Sequence, residues 1–196
     1  MTTTDARFTG DDIAYIESAY HTLDELARAA GLDPAWVVEQ IAAGLLPEPA
    51  YTLPVDRRLF PPDYFTLLET AGSVGDLRTH FDARFRKAAR AAGLAFTPEW
   101  NPETEWVDYI DGTYWVCLWE ATPEAMIEKE RLIRAIRALD AAAEPSSAAW
   151  CAELAEAVDA LDALERPFTD YDRARWDYTS RGLYVTAMRE RYPEAF

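Results

Sequence analysis

Apolar residues recur along most of the chain three and four positions apart, the spacing that gathers them on one face of a helix. The first such stretch, 11–19, carries Ile13 and Ile16 on one side. A second opens at Thr22, which stands three residues before Glu25 as in a reciprocal N-terminal cap. It runs to residue 30 with Leu23, Leu26 and Ala27 as its stripe, and Gly31 suits a left-handed exit. Asp33 followed by Pro34 marks the start of a third helix, 34–43, which ends at Gly44. From residue 47 to 61 prolines break any helical period, and the stretch suits a small β-wing. Pro62 leads into a further helix, 63–71, carrying Tyr64, Phe65, Leu67 and Leu68.

Beyond residue 72 the helical period returns. Ser73 and Asp76 resemble a second reciprocal cap, and Leu77, Phe81, Phe85 and Ala88 recur up to Gly93. Pro98 and Pro102 mark a loop. Over 103–118 two readings compete: a hairpin turning at Asp111-Gly112, or a helix carrying Trp106, Tyr109, Ile110 and Cys117. The helix is preferred because its surroundings are helical. Thr122-Pro123-Glu124 is a helix start with an acid at the positive end of the dipole, and that helix runs to about residue 142. Another covers 148–165, with Trp150, Cys151, Leu154, Val158, Leu161 and Leu164 inward, and a final one is expected over 171–192.

At 196 residues, with 49% hydrophobic and 13% aromatic content, the chain is long enough to bury a core without cross-links. No run of eighteen uncharged apolar residues occurs, and residues 1–10 lack the basic-then-apolar order of a secretory leader, so a cytoplasmic, membrane-free protein is expected. Cys117 and Cys151 sit in apolar segments and read as two buried thiols. The net charge of −16 is spread along the chain. Residues 1–72 hold 12 acids against Arg7, Arg28, Arg57 and Arg58, and the remainder holds 23 acids against 15 bases. A surface of that sign repels a phosphate backbone, which argues against nucleic acid as a partner.

Residues 22–32, TLDELARAAGL, together with Gly44-Leu45-Leu46-Pro47 and with Arg58-Leu59-Phe60 and Asp63-Tyr64, resemble the winged helix-turn-helix of the MerR class. The resemblance implies a DNA-binding unit over 1–72, followed by a helical, aromatic-rich bundle over 73–196. The departure from the family pattern lies in the helix that would enter the major groove. Residues 34–43, PAWVVEQIAA, contain no cation, so no DNA-binding residues are expected. The whole chain also looks like an uncharacterised family of small proteins associated with natural-product biosynthesis. That resemblance rests on Tyr114-Trp115-Val116-Cys117-Leu118, on Thr122-Pro123-Glu124 with Lys129, and on Arg191-Tyr192-Pro193. It implies a biosynthetic association and names no reaction.

Candidate chemistry is sparse. The glycine-rich phosphate loops, H-E-x-x-H and G-x-S-x-G are all missing, so no cofactor and no metal is expected. Glu120, Glu124 and Glu128, one helical turn apart, read as a solvated face flanked by Lys129, Arg131 and Arg134. Of two histidines, His80 is the candidate for acid–base work with Glu120 or Asp108, on the apolar side of its helix. Trp100, Trp106, Tyr109, Tyr114, Trp115 and Trp119 fall within 20 residues and are the expected ligand-binding set. Acidic neighbours would suit such a site to a cationic or amine-bearing small molecule. The expected function is therefore a small-molecule-binding or accessory protein that has another pathway protein or a second copy as a further partner. A pathway enzyme using His80 and a MerR-like regulator or drug-sequestering protein are the alternatives.

Overall fold

The computed structural model describes residues 7–176 and 178–196; residues 1–6, on which part of the reading of the N-terminus rests, and residue 177 lie outside it. The chain begins α1 (Gly10–Ala19), β1 (His21–Thr22), α2 (Leu23–Ala29), α3 (Pro34–Ala42), β2 (Tyr51–Leu53), β3 (Arg57–Phe60) and α4 (Thr66–Ala71). It continues with α5 (Leu77–Ala91), α6 (Pro102–Ile110), α7 (Thr113–Cys117), α8 (Pro123–Ala141), α9 (Ala148–Leu164), α10 (Asp170–Arg175) and α11 (Ala187–Arg191). The protein is thus mainly helical, with one small antiparallel sheet in the order β1-β3-β2.

Local chemistry sets most of these boundaries. Thr22 and Glu25 form the reciprocal cap of α2, Asp33 accepts from the Ala35 amide before Pro34 opens α3, and Thr122 caps α8 ahead of Pro123. In the sheet, Tyr51 lies opposite Leu59 and Leu53 opposite Arg57, while His21 pairs with Phe60. Tyr51, Leu53, Leu59 and Phe60 face inward and Arg57 and Arg58 outward. Val55 and Asp56 close the β2–β3 turn with positive φ, and the Val55 side chain is fully exposed at its tip.

Four boundaries differ from the sequence expectation. Helix α4 starts at Thr66 instead of residue 63, because the Asp63 carboxylate accepts from the distant Ala121 amide at 3.0 Å and does not cap its own helix. Ser73 does bond the Asp76 amide, at 3.2 Å, but residues 74–76 form a separate turn and α5 opens at Leu77. Over 103–118 the chain is helical, and Asp111-Gly112 nevertheless makes a turn that divides α6 from α7. The single helix expected over 171–192 is broken. Arg175 ends α10, Trp176 is extended, and the chain re-enters through a π-helical turn (Gly182–Thr186) before α11. Trp176 folds back under the Arg175 guanidinium, 4.0 Å from its ring centre, and packs edge-on against Phe168. The Thr179 hydroxyl accepts from the Gly182 amide and restarts the helix there. Cys151 also differs, being half-buried where Cys117 is buried.

One core runs through both expected halves. It includes Ile16, Val37, Tyr51 and Tyr64 from before residue 72, and Phe81, Tyr109, Trp115 and Met126 from after it. Hydrogen bonds cross the same seam: Tyr20 Oη donates to the Trp115 carbonyl (3.0 Å), Tyr51 Oη to Asp172 (2.8 Å), and the Glu48 amide to the Ile110 carbonyl (2.8 Å). A second core joins α8, α9 and the C-terminal helices through Ile136, Leu154, Val158, Leu161, Val185 and Met188. No helix among the described residues is long and apolar enough to cross a membrane.

Gly112 holds the seam closed. Its φ is +85°, and a Cβ there would lie 3.0 Å from the carbonyl oxygens of both Glu48 and Pro49. Gly112→Ala should therefore cost about 2–3 kcal/mol, combining left-handed strain with the backbone clash. Urea unfolding reads this directly, and an unchanged midpoint would contradict it.

Candidate functional site

The expected aromatic set separates into distinct environments. Trp106, Tyr109 and Trp115 form a chain of ring contacts at 5.2–5.4 Å, continued by Phe81 on one side and by Tyr64 at 5.7 Å on the other. Tyr109 and Trp115 are buried. Tyr114 is buried too, and its hydroxyl donates to Glu105. Trp100 packs with Phe85 and Phe96 under Arg134, and Trp119 stays 46% exposed beneath Arg166. These rings spend most of their faces on one another and on nearby arginines.

Nor does the structure assemble the expected acid–base group. His80 is half-buried, and its Nε2 lies 3.1 Å from Thr70 Oγ1. Glu120 is exposed, and Asp108 has its carboxyl pushed up by burial and by the charge of Asp111. No hydrogen bond or ion pair joins His80 to either carboxylate among the described residues. The Glu120–Glu124–Glu128 face is divided by arginines: Glu124 pairs with Arg84 at 2.6 Å and Glu128 with Arg131 at 2.7 Å. Among the described residues, no group of three or more His, Cys, Asp or Glu side chains is placed to hold a metal ion.

A cluster that sequence reasoning missed lies where α7, α8 and α9 meet. Lys129 Nζ sits 2.9 Å from Glu165 Oε1, with 14% of the lysine side chain and none of the glutamate exposed. Ser180 donates to the same oxygen, while Oε2 is buried with no partner. Burial opposes the Lys129 charge, but the neighbouring Cys117 and Glu165 outweigh it and hold the ammonium above the usual lysine range. Burial pushes the Cys117 thiol up, so it is a poor nucleophile. Nearby, burial raises Glu105 to about 7, against the Tyr114 hydrogen bond and the Lys129 charge and with help from Asp108 and Glu130. Residue 165 follows α9 directly and residue 129 is in α8, so their meeting is a matter of tertiary packing that no spacing rule announces.

An open site exists on another face. A groove of about 430 Å³ lies between the α2–α3 corner and the α4–α5 connection. Leu32 and Trp36 form one wall, and Phe65, Leu68 and Val74 form the other. The capped start of α3 positions Trp36: Val37, one residue on, is completely buried, so its neighbour is turned toward the groove. Glu69 and Ser73 supply the polar rim. Trp36 makes no aromatic or cation–π contact among the described residues, whereas each of the other six tryptophans makes at least one. The sequence signal for it was present, since Trp36 and Val37 stand side by side on a helix without cations.

The fold and this groove define a mainly α-helical protein with a small sheet and an open apolar groove beside it. Residues 77–193 match the model of DUF6058, a family of unknown function, and the chain belongs to that family. The matched segment contains the Lys129–Glu165 cluster and begins just after the groove's last residue, Val74. No curated protein and no solved structure matches the chain.

Two outcomes test the buried groups. Lys129→Met leaves a buried carboxylate unpaired and should destabilise the fold by about 3–5 kcal/mol, while adding Glu165→Leu should recover most of that loss. Because Glu105 binds its proton more tightly folded than unfolded, its contribution to stability is complete below about pH 4.5 and is lost as pH rises to about 7. The loss is on the order of 3 kcal/mol. Glu105→Gln should flatten this slope in chemical denaturation across that range, and a slope equal to wild type would refute the assignment.

Proposed function

We propose that this chain is a small-molecule-binding accessory protein whose MerR-like winged helix-turn-helix serves as the wall of a ligand site and not as a DNA reader. The observation that carries the reading is the Trp36 groove. Its volume falls in the range of small-molecule sites, roughly 300–1,000 Å³, and its walls are mostly apolar with few polar groups. The order α1-β1-α2-α3-β2-β3, with β1 added to the β2–β3 hairpin, supports the winged-helix reading. The charge pattern supports its non-use on DNA. Of the wing arginines, Arg57 is paired with Glu17 and Arg58 with Asp56, and α3 presents Val38 and Glu39 to solvent. The setting in natural-product biosynthesis is carried by the resemblance of the whole chain.

The test is uptake of N-phenyl-1-naphthylamine, a neutral fluorescent probe. Wild type should bind it, and Trp36→Ala should weaken binding at least tenfold while the variant still unfolds in a single cooperative transition. Probe binding that ignores Trp36, or no binding at all, would remove the groove as the site. In parallel, fluorescence anisotropy with duplex DNA at 50 mM salt should show no association; tight, salt-sensitive binding would restore the regulator reading.

A further inference from the structure

Three features of the groove share one electrostatic sign. Glu69 stands on its rim, exposed and without an ion-pair partner among the described residues. In α2 the basic residue Arg28 is tied to Asp24 at 2.9 Å, and no lysine or arginine lines the groove. Two helices also end there, α2 at Ala30 and α4 at Gly72, and both of these residues line the groove. The last α2 carbonyls, of Leu26, Ala27 and Arg28, accept from the Ala30, Leu32 and Gly31 amides, so the open carbonyls are those of α4. The last carbonyls of a helix have no partner within it and carry the negative end of its dipole. No hydrogen bond within the described structure reaches the carbonyl oxygens of Glu69, Thr70 or Ala71.

The third feature is Trp36 itself. The face of an indole attracts cations, most strongly where water is partly excluded. Six of the seven tryptophans already meet another ring or a guanidinium, and Trp36 is the exception. An indole that lines the groove without ring or guanidinium contacts, an unpaired carboxylate and the open carbonyls at the end of α4, set in apolar walls, form a receptor for an ammonium group attached to an apolar body. A carboxylate or phosphate ligand would find no lysine or arginine among the residues lining the groove and would meet Glu69 at its rim.

We propose that the groove selects hydrophobic amines in their protonated form, with Trp36 and Glu69 as the residues that set this preference. The proposal rests on the ligand-binding reading above and adds the charge of the ligand to it. The side chains of Leu32, Phe65, Leu68 and Val74 would hold the apolar body, and Glu69 with Trp36 would face the ammonium.

A matched pair of probes tests it: 1-naphthylmethylamine, which is cationic at pH 7, and the neutral 1-naphthylmethanol, both followed by titration calorimetry. Wild type should bind the amine at least tenfold more tightly than the alcohol. Glu69→Gln should bring the two within about twofold by weakening the amine alone, and Glu69→Lys should reverse the order. Raising the salt from 0.05 to 0.5 M should narrow the wild-type gap, since exposed charges are screened at that strength. Equal binding of the two probes, or a gap that survives Glu69→Gln, overturns the charge preference while leaving ligand binding in place. If neither probe binds and N-phenyl-1-naphthylamine is also excluded, both the preference and the underlying reading fall.

Discussion

Glu165 and Arg166 are consecutive, opposite in charge, and almost completely withdrawn from water. Burying either ion alone would cost several kcal/mol, so each must find its own compensation. The chain manages this by leaving helical geometry as α9 ends: Glu165 is extended, and extended residues send successive side chains to opposite sides. Glu165 turns to Lys129 and Ser180 among the C-terminal helices. Arg166 turns the other way, donating from Nε to the Leu118 carbonyl at 2.8 Å and stacking on Tyr20 and Trp119. A single antiparallel bridge between Leu118 and Glu165 fixes the crossing. The first half of the fold, reached through Tyr20, and the second, reached through Lys129, are both positioned by this one dipeptide.

Much of the architecture was legible because it depends on local chemistry. Thr22 with Glu25, Asp33 with Pro34, and Thr122 with Pro123 each offer an oxygen to an amide two or three residues away, so sequence spacing is sufficient to find them. The failures share the opposite property. Asp63 stands at the start of an expected helix, and its carboxylate instead accepts from Ala121, 58 residues away. The helix expected over 171–192 is broken after Arg175, where Trp176 packs on Phe168 and under the Arg175 guanidinium, contacts that no spacing rule announces. The expected ligand-binding set, Trp100, Trp106, Tyr109, Tyr114, Trp115 and Trp119, rests on ring density alone. The density of rings between residues 100 and 119 gave no way to distinguish rings that pack on each other from rings that wait for a ligand. Trp36, isolated in sequence, is half-buried and lines the groove without a ring or guanidinium contact among the described residues.

The acidic surface and the groove belong together physically. Arginines across the molecule are drawn into pairs, as at Arg84–Glu124, Arg131–Glu128 and Arg57–Glu17, which leaves the carboxylates in excess elsewhere. A site on such a surface sits in a negative field even before its own rim is counted. The family match, in contrast, covers the helices that carry the buried Lys129–Glu165 pair and leaves the groove residues outside it. Scaffold and opening are thus contributed by different stretches of chain.

The shared core gives that division an unexpected mechanical meaning. Tyr51, Tyr64, Tyr109 and Trp115 lie in one packed cluster, so neither stretch has a surface along which it could separate from the other without wetting large aromatic area. Opening the sheet and opening the α6–α7 turn are then parts of one transition rather than two independent ones. Whatever occupies the Trp36 groove would therefore add its binding free energy to the persistence of the whole molecule, the distant bundle included. A ligand held at the edge of the first helices would then act as a thermodynamic brace for the core that both stretches share.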